Sequence, residues 1–307
     1  MITSMFCGKG GVGKTSSTVA LALYLSSQRN KKVAVVDYDG GHSVANTLGL
    51  SSKLVPNVIN KTDHNLSIVV VENTSFVPIK EAKRRGFTID QYLQQFPGSL
   101  GILPLSDMVC EFFGVLTDVI TMQKFAILVD VLAQLEKEKY THVIIDVEPT
   151  AGLERLLTNA ESTVHSLLNL QNKGRAELAL IGVKWPEIRA YLKGEYIRHA
   201  DQHCVQIQRT VKRLKASKYF IVCTPEASPV DQTFEVRRII EKFGGRVTGY
   251  VVNNMRNEPH ESDVLSRLSG VGVPLVLMQR RNELHHPGAN KTEILLQMGE
   301  ILVREGM

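Results

Sequence analysis

The sequence is poor in cysteine, in long apolar runs and in net charge. Its four cysteines stand far apart and form no C-x-x-C pair, so neither a disulfide framework nor a zinc or iron–sulfur site is indicated. No run of 18 apolar residues occurs, and we therefore expect no membrane-spanning helix. The formal net charge is only +5 over 307 residues, which gives no strong signal for nucleic-acid binding. These absences favour a cytoplasmic globular protein with reduced thiols.

Apolar β-branched segments alternate with helical patterns along the chain. The predicted strands are residues 2–7, 32–37, 66–71, 100–103, 142–146, 219–224, 247–253 and 273–277. Continuous apolar strands separated by helices indicate a parallel sheet covered on both faces. Two further segments, near 105–139 and 175–216, look wholly helical. The sequence thus predicts a single α/β domain over residues 1–307, with a doubly wound, mainly parallel sheet and a helical excursion.

Residues 8–15 read Gly-Lys-Gly-Gly-Val-Gly-Lys-Thr and match the P-loop pattern G-x-x-x-x-G-K-[ST]. Glycines allow successive backbone N–H groups to turn toward anionic oxygens, where a side chain would collide. Lys14 can reach the outer phosphates and the Thr15 hydroxyl can ligate Mg²⁺. A helix predicted over residues 16–27 would present its positive end to the phosphates. The predicted ATP-binding residues here are Gly8, Gly10, Gly11, Val12, Gly13, Lys14, Thr15 and Ser16.

Aspartates stand at the ends of two predicted strands, as a P-loop ATPase requires. Asp37 and Asp39 close the second strand, and Asp146 follows three apolar residues in the Walker B manner. A carboxylate at Asp39 could align the attacking water, and Asp146 could hold Mg²⁺ through a water. We therefore predict Thr15, Asp39 and Asp146 as the magnesium site, partly through water. The alternative is that these aspartates are ordinary turn residues.

A second lysine, Lys9, lies in the loop directly after its first glycine. It resembles the signature lysine of the deviant Walker A ATPases, a class that includes MinD and ParA. The resemblance implies that Lys9 crosses a homodimer interface to the partner's nucleotide. A cation supplied in this way stabilises phosphoryl oxygens that gain charge in the transition state. The alternative is a solvated surface charge.

Four further segments resemble one branch of that class, the arsenite-pump and tail-anchored-protein targeting ATPases. They are residues 39–49, 146–157, 224–226 and 252–253, which are similar to the two switch segments, the IPE segment and the VN strand end of that family. The resemblance implies a P-loop NTPase fold and a dimeric ATPase that requires Mg²⁺. Its implied catalytic residues are Lys9, Lys14 and Asp39. It also implies that Asn253 contacts adenine and that Glu226 touches the partner's nucleotide.

The chain also departs from that family's pattern. Gly40-Gly41 replaces Pro-Ala, which would loosen the first switch. Glu148 and Gly152 stand where the family has a small residue and histidine, and the zinc-binding cysteine pair of the eukaryotic targeting ATPases is missing. Any dimer must therefore be held by nucleotide or by packing. The sequence assigns no role to Glu148 or to Cys110.

Three hypotheses remain for what the ATPase drives. In the first, nucleotide state is coupled to a hydrophobic client protein or a membrane transporter subunit, with residues 103–133 as the client groove; an ordinary buried helix is the alternative interpretation of that segment. The second is a ParA- or MinD-like partitioning or positioning ATPase. Residues 291–307 are amphipathic but mixed in charge, unlike a basic membrane-binding helix. The third is a nucleotide-dependent metallochaperone or scaffold.

Overall fold

The structure is a computed structural model and contains a central sheet with flanking helices. It describes residues 1–39, 41–50, 54–62, 65–73, 82, 84–87, 91, 119–147, 149–162, 164, 195–280 and 290–306. The predicted strand 100–103, the first part of each predicted helical segment, and Gly40, Cys110 and Glu148 lie outside these residues.

Eight strands of the described chain form one sheet in the order β3-β4-β2-β5-β1-β6-β7-β8. The strands are β1 (Ile2–Cys7), β2 (Val33–Asp37), β3 (Asn60–Lys61), β4 (Leu66–Val70), β5 (His142–Asp146), β6 (Lys218–Cys223), β7 (Arg246–Met255) and β8 (Leu275–Gln279). All neighbours pair in parallel except β3, which pairs antiparallel with β4 at one edge. The carboxyl ends of β1, β2 and β5 therefore meet at the same edge of the sheet.

Helices follow most of the parallel strands, as α/β crossovers require. They are α1 (Lys14–Ser27), α2 (Ser43–Thr47), α3 (Val119–Lys137), α4 (Glu195–Lys215), α5 (Ala227–Phe243), α6 (Glu261–Ser269) and α7 (Lys291–Gly306). Residues 150–162 are also helical. No helix of the described residues is both long enough and apolar enough to cross a membrane.

The fold class predicted from the sequence is confirmed: the protein is α/β, with a mainly parallel sheet. The predicted strands at 2–7, 32–37, 66–71, 142–146, 219–224 and 247–253 are each found within two residues of their predicted limits. β8 begins two residues later than predicted, at Leu275. Pro274 has no N–H to donate to a sheet, although its carbonyl accepts from Tyr250 N at 2.9 Å.

The Cα positions group into two compact units. The first contains Met1–Val71, Leu135–Leu157 and Arg213–Met307, and the second contains Glu72–Gln134 and Thr158–Lys212. The sheet lies in the first unit. In the second, the described part of the predicted client segment is helix α3, where Phe125, Leu128 and Leu132 are fully buried. The prediction of a single domain stays a prediction.

Helix α7 packs closely against α1, which follows the glycine-rich loop. A Cβ added at Gly299 would overlap the carbonyl oxygen of Ala20 and lie 2.6 Å from Cβ of Tyr24. Only glycine allows the two helices to approach this closely. The apolar side of α7, with Leu295, Met298 and Leu302, is buried in the core of the first unit. The packing fixes the helix that carries Lys14 and Thr15.

Candidate functional site

The glycine-rich loop connects β1 to α1 and is held between the ends of β6 and β7. Gly8 has φ of +141°, and a Cβ there would overlap the carbonyl oxygen of Val222 in β6. Gly13 has φ of +96°, and a Cβ there would overlap the amide nitrogen of Asn253 in β7. Both positions require glycine for conformation and for space. The pattern of glycines in the sequence thus produces a loop whose backbone is exposed at the sheet edge.

Lys14 lies inside this loop as the first residue of α1. Its side chain is 8% exposed, and its Nζ donates a hydrogen bond to the carbonyl oxygen of Lys9 at 3.0 Å. Burial lowers the pKa of Lys14, and the charge of Asp146 opposes that change. The first turn of α1 carries no acidic residue, so its positive end and the Lys14 ammonium together favour an anion at the loop.

Oxygen-bearing side chains meet where β2, β5 and α1 converge. Thr15 donates from Oγ1 to Asp146 Oδ2 at 2.7 Å. Ser43 Oγ, at the start of α2, lies 3.5 Å from Oδ2 of Asp37, from Oδ2 of Asp146 and from Oγ1 of Thr15. The backbone N–H of Val44 donates to Asp37 Oδ2 at 3.3 Å. We call Thr15, Asp37, Ser43 and Asp146 the oxygen cluster.

The sheet register brings the two carboxylates of the oxygen cluster together. Asp37 is the last residue of β2 and Asp146 the last of β5, and the two are direct partners in the parallel ladder. Both are almost fully buried, at 0% and 2% exposure. The pKa of Asp146 is raised to about 6, chiefly by burial; the hydrogen bond from Thr15 opposes this shift and the charge of Asp37 adds to it.

The chemistry of the oxygen cluster fits Mg²⁺. Two buried carboxylates repel each other, and a divalent cation between them would relieve both the repulsion and the cost of burial. Carboxylate and hydroxyl oxygens are the hard ligands that Mg²⁺ prefers, and it commonly takes one or two carboxylates together with phosphate oxygens. Among the described residues no group of three or more His, Cys, Asp or Glu side chains could hold a metal. Because the oxygen cluster offers two carboxylates and two hydroxyl groups, it suits a metal that phosphate oxygens also ligate.

Two of the predicted metal ligands, Thr15 and Asp146, lie in the oxygen cluster, and the sequence prediction did not include its other two members, Asp37 and Ser43. Asp39, the third predicted ligand, is exposed in the segment that leads from β2 to α2. Its predicted roles, holding the metal and aligning the attacking water, stay predictions. The signal for Asp37 was present in its position, because it ends β2 just as Asp146 ends β5.

A cavity of about 460 Å³ adjoins the loop on the side of β7 and β8. Gly11 to Gly13 line it together with polar residues from several elements and two apolar residues of α7: Ser16, Asn46, Thr224, Asn253, Gln279, Lys291, Leu295 and Met298. The volume lies in the range of small-molecule sites, and the lining offers amide and hydroxyl groups beside an apolar part. A ligand with an anionic end at the loop and a polar, planar end in the cavity would fit both parts. We call this cavity the side pocket.

An irregularity in β7 directs two asparagines to the side pocket. The register with β8 shifts between Val252 and Met255, and Asn254 has φ of +67°, a conformation that asparagine tolerates better than most residues. Such bulges commonly re-aim side chains beside active sites. Asn253 Nδ2 donates to the carbonyl oxygen of Val12 at 3.0 Å, so the predicted base-binding residue lies against the loop.

The remaining predicted residues are spread around the site. Lys9 is exposed on the loop, and Glu226 is exposed at the N-cap of α5. Nothing in the described residues tests whether either of them reaches a partner subunit. The three cysteines that the structure describes, Cys7, Cys204 and Cys223, are buried.

Comparisons with known proteins identify the family of this chain. The sequence profile of the anion-transporting ATPase family matches residues 1–271. A protein of Plasmodium vivax named ATPase ASNA1 homolog is 24% identical over 245 residues, which are 77% of this chain and 58% of the relative. The chain thus spans less than two thirds of that relative's length.

Two other relatives extend the comparison to bacteria and plants. A protein of Aquifex aeolicus, named provisionally as an arsenical pump-driving ATPase, is 25% identical over 268 residues, 85% of this chain and 82% of the relative. The ATPase GET3C of Arabidopsis thaliana is 22% identical over 261 residues, 81% of this chain and 65% of the relative. The sheet and its glycine-rich loop form the fold of a P-loop NTPase, and the chain belongs to the anion-transporting ATPase family.

Proposed function

We propose that this protein binds ATP together with Mg²⁺ and hydrolyses it. The observation that supports the proposal is the oxygen cluster, in which Thr15 Oγ1 and Asp146 Oδ2 lie 2.7 Å apart directly beside the glycine-rich loop. A phosphate-binding loop next to a magnesium site is the arrangement that phosphoryl transfer requires. The side pocket would hold the nucleoside.

Each part of the site has a role in binding. The loop N–H groups and the Lys14 ammonium would bind the phosphates, with Lys14 exchanging the Lys9 carbonyl for phosphate oxygens. Thr15 and Asp146, with Asp37 and Ser43 beside them, would hold Mg²⁺. When bound, the ion neutralises charge on the phosphate oxygens during transfer. The Asn253 carbonyl oxygen is suited to the exocyclic amine of adenine, since its amide nitrogen already donates to Val12.

Hydrolysis needs an aligned water and a further positive charge. Asp39 is exposed and follows β2 by two residues, and we propose that its carboxylate accepts a hydrogen bond from the attacking water. Lys9 is exposed on the glycine-rich loop. We propose that two copies of the chain pair with their loops facing each other and that each Lys9 contacts the partner's nucleotide.

Mixing two inactive variants tests both hydrolysis and the role of Lys9 across the dimer. We expect Lys9→Ala and Asp39→Asn each to lose ATP turnover, measured as phosphate release. If Lys9 acts on the partner's site, a mixed dimer has one complete site, because the Lys9→Ala chain keeps its own Asp39 and receives Lys9 from its partner. An equimolar mixture should then regain part of the activity. No recovery in a mixture shown to contain mixed dimers would contradict action across the interface, and full turnover in Asp39→Asn would remove its catalytic assignment.

The coupled process is a second part of the proposal. We propose that nucleotide state controls binding to a client protein or a transporter subunit, since one relative carries a name that refers to driving an arsenical pump. Capture of a peptide with a single apolar helix, in ATP and in ADP, tests the client form. Capture that is equal in the two nucleotide states, or absent from both, would refute it.

A cytoplasmic location stays a prediction.

The alternative functions fit the fold less well. A MinD-like membrane helix at the end of the chain needs a free apolar face, but Leu295, Met298 and Leu302 of α7 are buried in the core. A metallochaperone needs accessible thiols, whereas the described cysteines are buried. Vesicle flotation with ATP tests the first alternative, and metal analysis of the purified protein tests the second.

A further inference from the structure

The loop after β7 is closed by a buried carboxylate that the proposed hydrolysis does not use. Glu261, the first residue of α6, is 3% exposed. Its Oε1 accepts from the backbone N–H of Arg256 at 2.8 Å, and its Oε2 accepts from that of Asn257 at 2.9 Å. A carboxylate with both oxygens bonded to backbone N–H groups fixes the path of the chain between them. Glu261 therefore holds residues 256–257 against the start of α6.

Asn257, whose backbone Glu261 holds, is hydrogen-bonded through its side chain to a residue of the side pocket. Its backbone has φ of +62°, and its side-chain Oδ1 accepts from Nε2 of Gln279 at 3.3 Å. Gln279 lines the side pocket and pairs with Met255 across the β7–β8 ladder. The next residue, Arg280, donates its backbone N–H to Met255 O at 2.9 Å. Two hydrogen bonds thus join the ends of β7 and β8, one from the side chain of Gln279 and one from the backbone of the next residue.

The direction of these hydrogen bonds sets what Gln279 offers to a ligand. Its amide nitrogen donates one of its two N–H groups to Asn257, and among the described residues its carbonyl oxygen accepts no hydrogen bond, so this oxygen can accept from a ligand in the pocket. Asn253 is oriented in the same sense, because its nitrogen donates to Val12 O. Two amide carbonyls in one wall favour a base that carries an exocyclic amino group. Adenine has such a group at position 6, whereas hypoxanthine has an oxygen there.

We propose that Glu261 is a positioning residue which, through Asn257, holds Gln279 in the side pocket and so strengthens the preference for adenine over hypoxanthine nucleotides. The inference rests on the proposed function, since it takes the side pocket to hold the base. Glu261 touches no ligand in this proposal. Gln279 is the residue that contacts the base, and its contribution to affinity is separate from that of the glycine-rich loop, which binds the phosphates.

Binding of three probes to the full chain tests the proposal. Calorimetry with ATP, ITP and tripolyphosphate, each with Mg²⁺, gives the ATP/ITP affinity ratio and, from tripolyphosphate, the strength of the loop alone. We expect Glu261→Ala and Gln279→Ala each to lower this ratio about 3- to 10-fold, the range for one neutral hydrogen bond, with tripolyphosphate affinity unchanged. Glu261→Gln, which keeps one acceptor oxygen, should lie between Ala and wild type. The double variant should show no larger loss than the greater single one.

Controls separate this role from a general effect on folding. Glu258→Ala removes an exposed carboxylate of the same loop, whose ion pairs in the described part of the chain are with Arg256 and His260. This variant should leave the ratio unchanged. If Glu261→Ala does not fold, Gln279→Ala and Asn257→Gly carry the same comparison, since glycine accepts the φ of position 257.

An unchanged ratio in these variants, or an equal loss of tripolyphosphate affinity, would overturn the proposal while leaving ATP binding intact. A wild-type chain that binds neither ATP nor tripolyphosphate would instead overturn the proposed function, and the inference with it.

Discussion

Replacing Asp146 with asparagine should make the ligand-free protein more stable while removing its affinity for magnesium nucleotide. The Asp146 carboxyl has its pKa raised from 3.8 to about 6, chiefly by burial. The folded protein therefore binds a proton at Asp146 more tightly than the unfolded chain does. Protonation of this carboxyl stabilises the fold, and the stabilisation is complete below pH 3.8. It is lost as the pH rises through 6. Above that, the buried charge costs about 3 kcal/mol.

The magnitude can be measured as a difference between the two proteins. Asparagine is neutral at every pH and keeps an oxygen that can accept from Thr15. The free energy of unfolding of Asp146→Asn, relative to wild type, should therefore increase by about 2 kcal/mol between pH 4.5 and pH 7.5. Urea unfolding in a metal-chelating buffer at both pH values gives this number. With Mg²⁺ and ATP present, the wild type should instead be more stable than Asp146→Asn, because ligand binding stabilises only the wild type.

Asp39→Asn is the matched control for this prediction. It also replaces an aspartate near the loop, but one that is exposed. It removes no buried charge, so it should not reproduce the gain in stability that is expected of Asp146→Asn. An Asp146→Asn protein that is less stable than wild type at pH 7.5, with no change in the difference at pH 4.5, would refute the reasoning about the buried carboxylates.

Three further predictions address the other parts of the account. Gly299→Ala should destabilise the protein by about 1–3 kcal/mol in urea unfolding, since overpacking against Ala20 outweighs the roughly 1 kcal/mol that alanine adds to a helix; a more stable variant would contradict the close approach of α7 and α1. Ser43→Ala should raise the Mg²⁺ concentration for half-maximal turnover at least about 3-fold with little change in unfolding, and an unchanged Mg²⁺ titration would remove Ser43 from the metal site. Asn253→Ala should weaken ATP binding by about 3- to 10-fold in calorimetry, whereas unaltered affinity would place the base elsewhere.

Much of the fold could be predicted because its signals are local. Apolar β-branched runs mark the buried parallel strands, and glycines such as Gly8 and Gly13 stand where the backbone needs them. The two-residue edge strand β3 is too short for any periodic pattern. Helix α2 escaped prediction for the same reason, although it begins with Ser43 of the oxygen cluster.

The parts of the site that sequence reasoning missed depend on strand register and on loops. Asp37 and Asp39 are two residues apart, and the pattern could not tell which carboxylate turns inward. In the structure it is Asp37 that lies in the oxygen cluster, because it pairs with Asp146 in the ladder between β2 and β5. Gln279 and Glu261 lie 18 positions apart on different elements, and only the folded loop after β7 connects them.

Calorimetric titration of the purified chain with ATP, with and without Mg²⁺, is the most direct test of the central claim. The account predicts one nucleotide bound per chain, tighter with Mg²⁺ than without it, and a loss of binding in Lys14→Ala. A wild-type chain that gives no binding heat with millimolar Mg-ATP, or one whose affinity ignores both Mg²⁺ and the loss of Lys14, would contradict it.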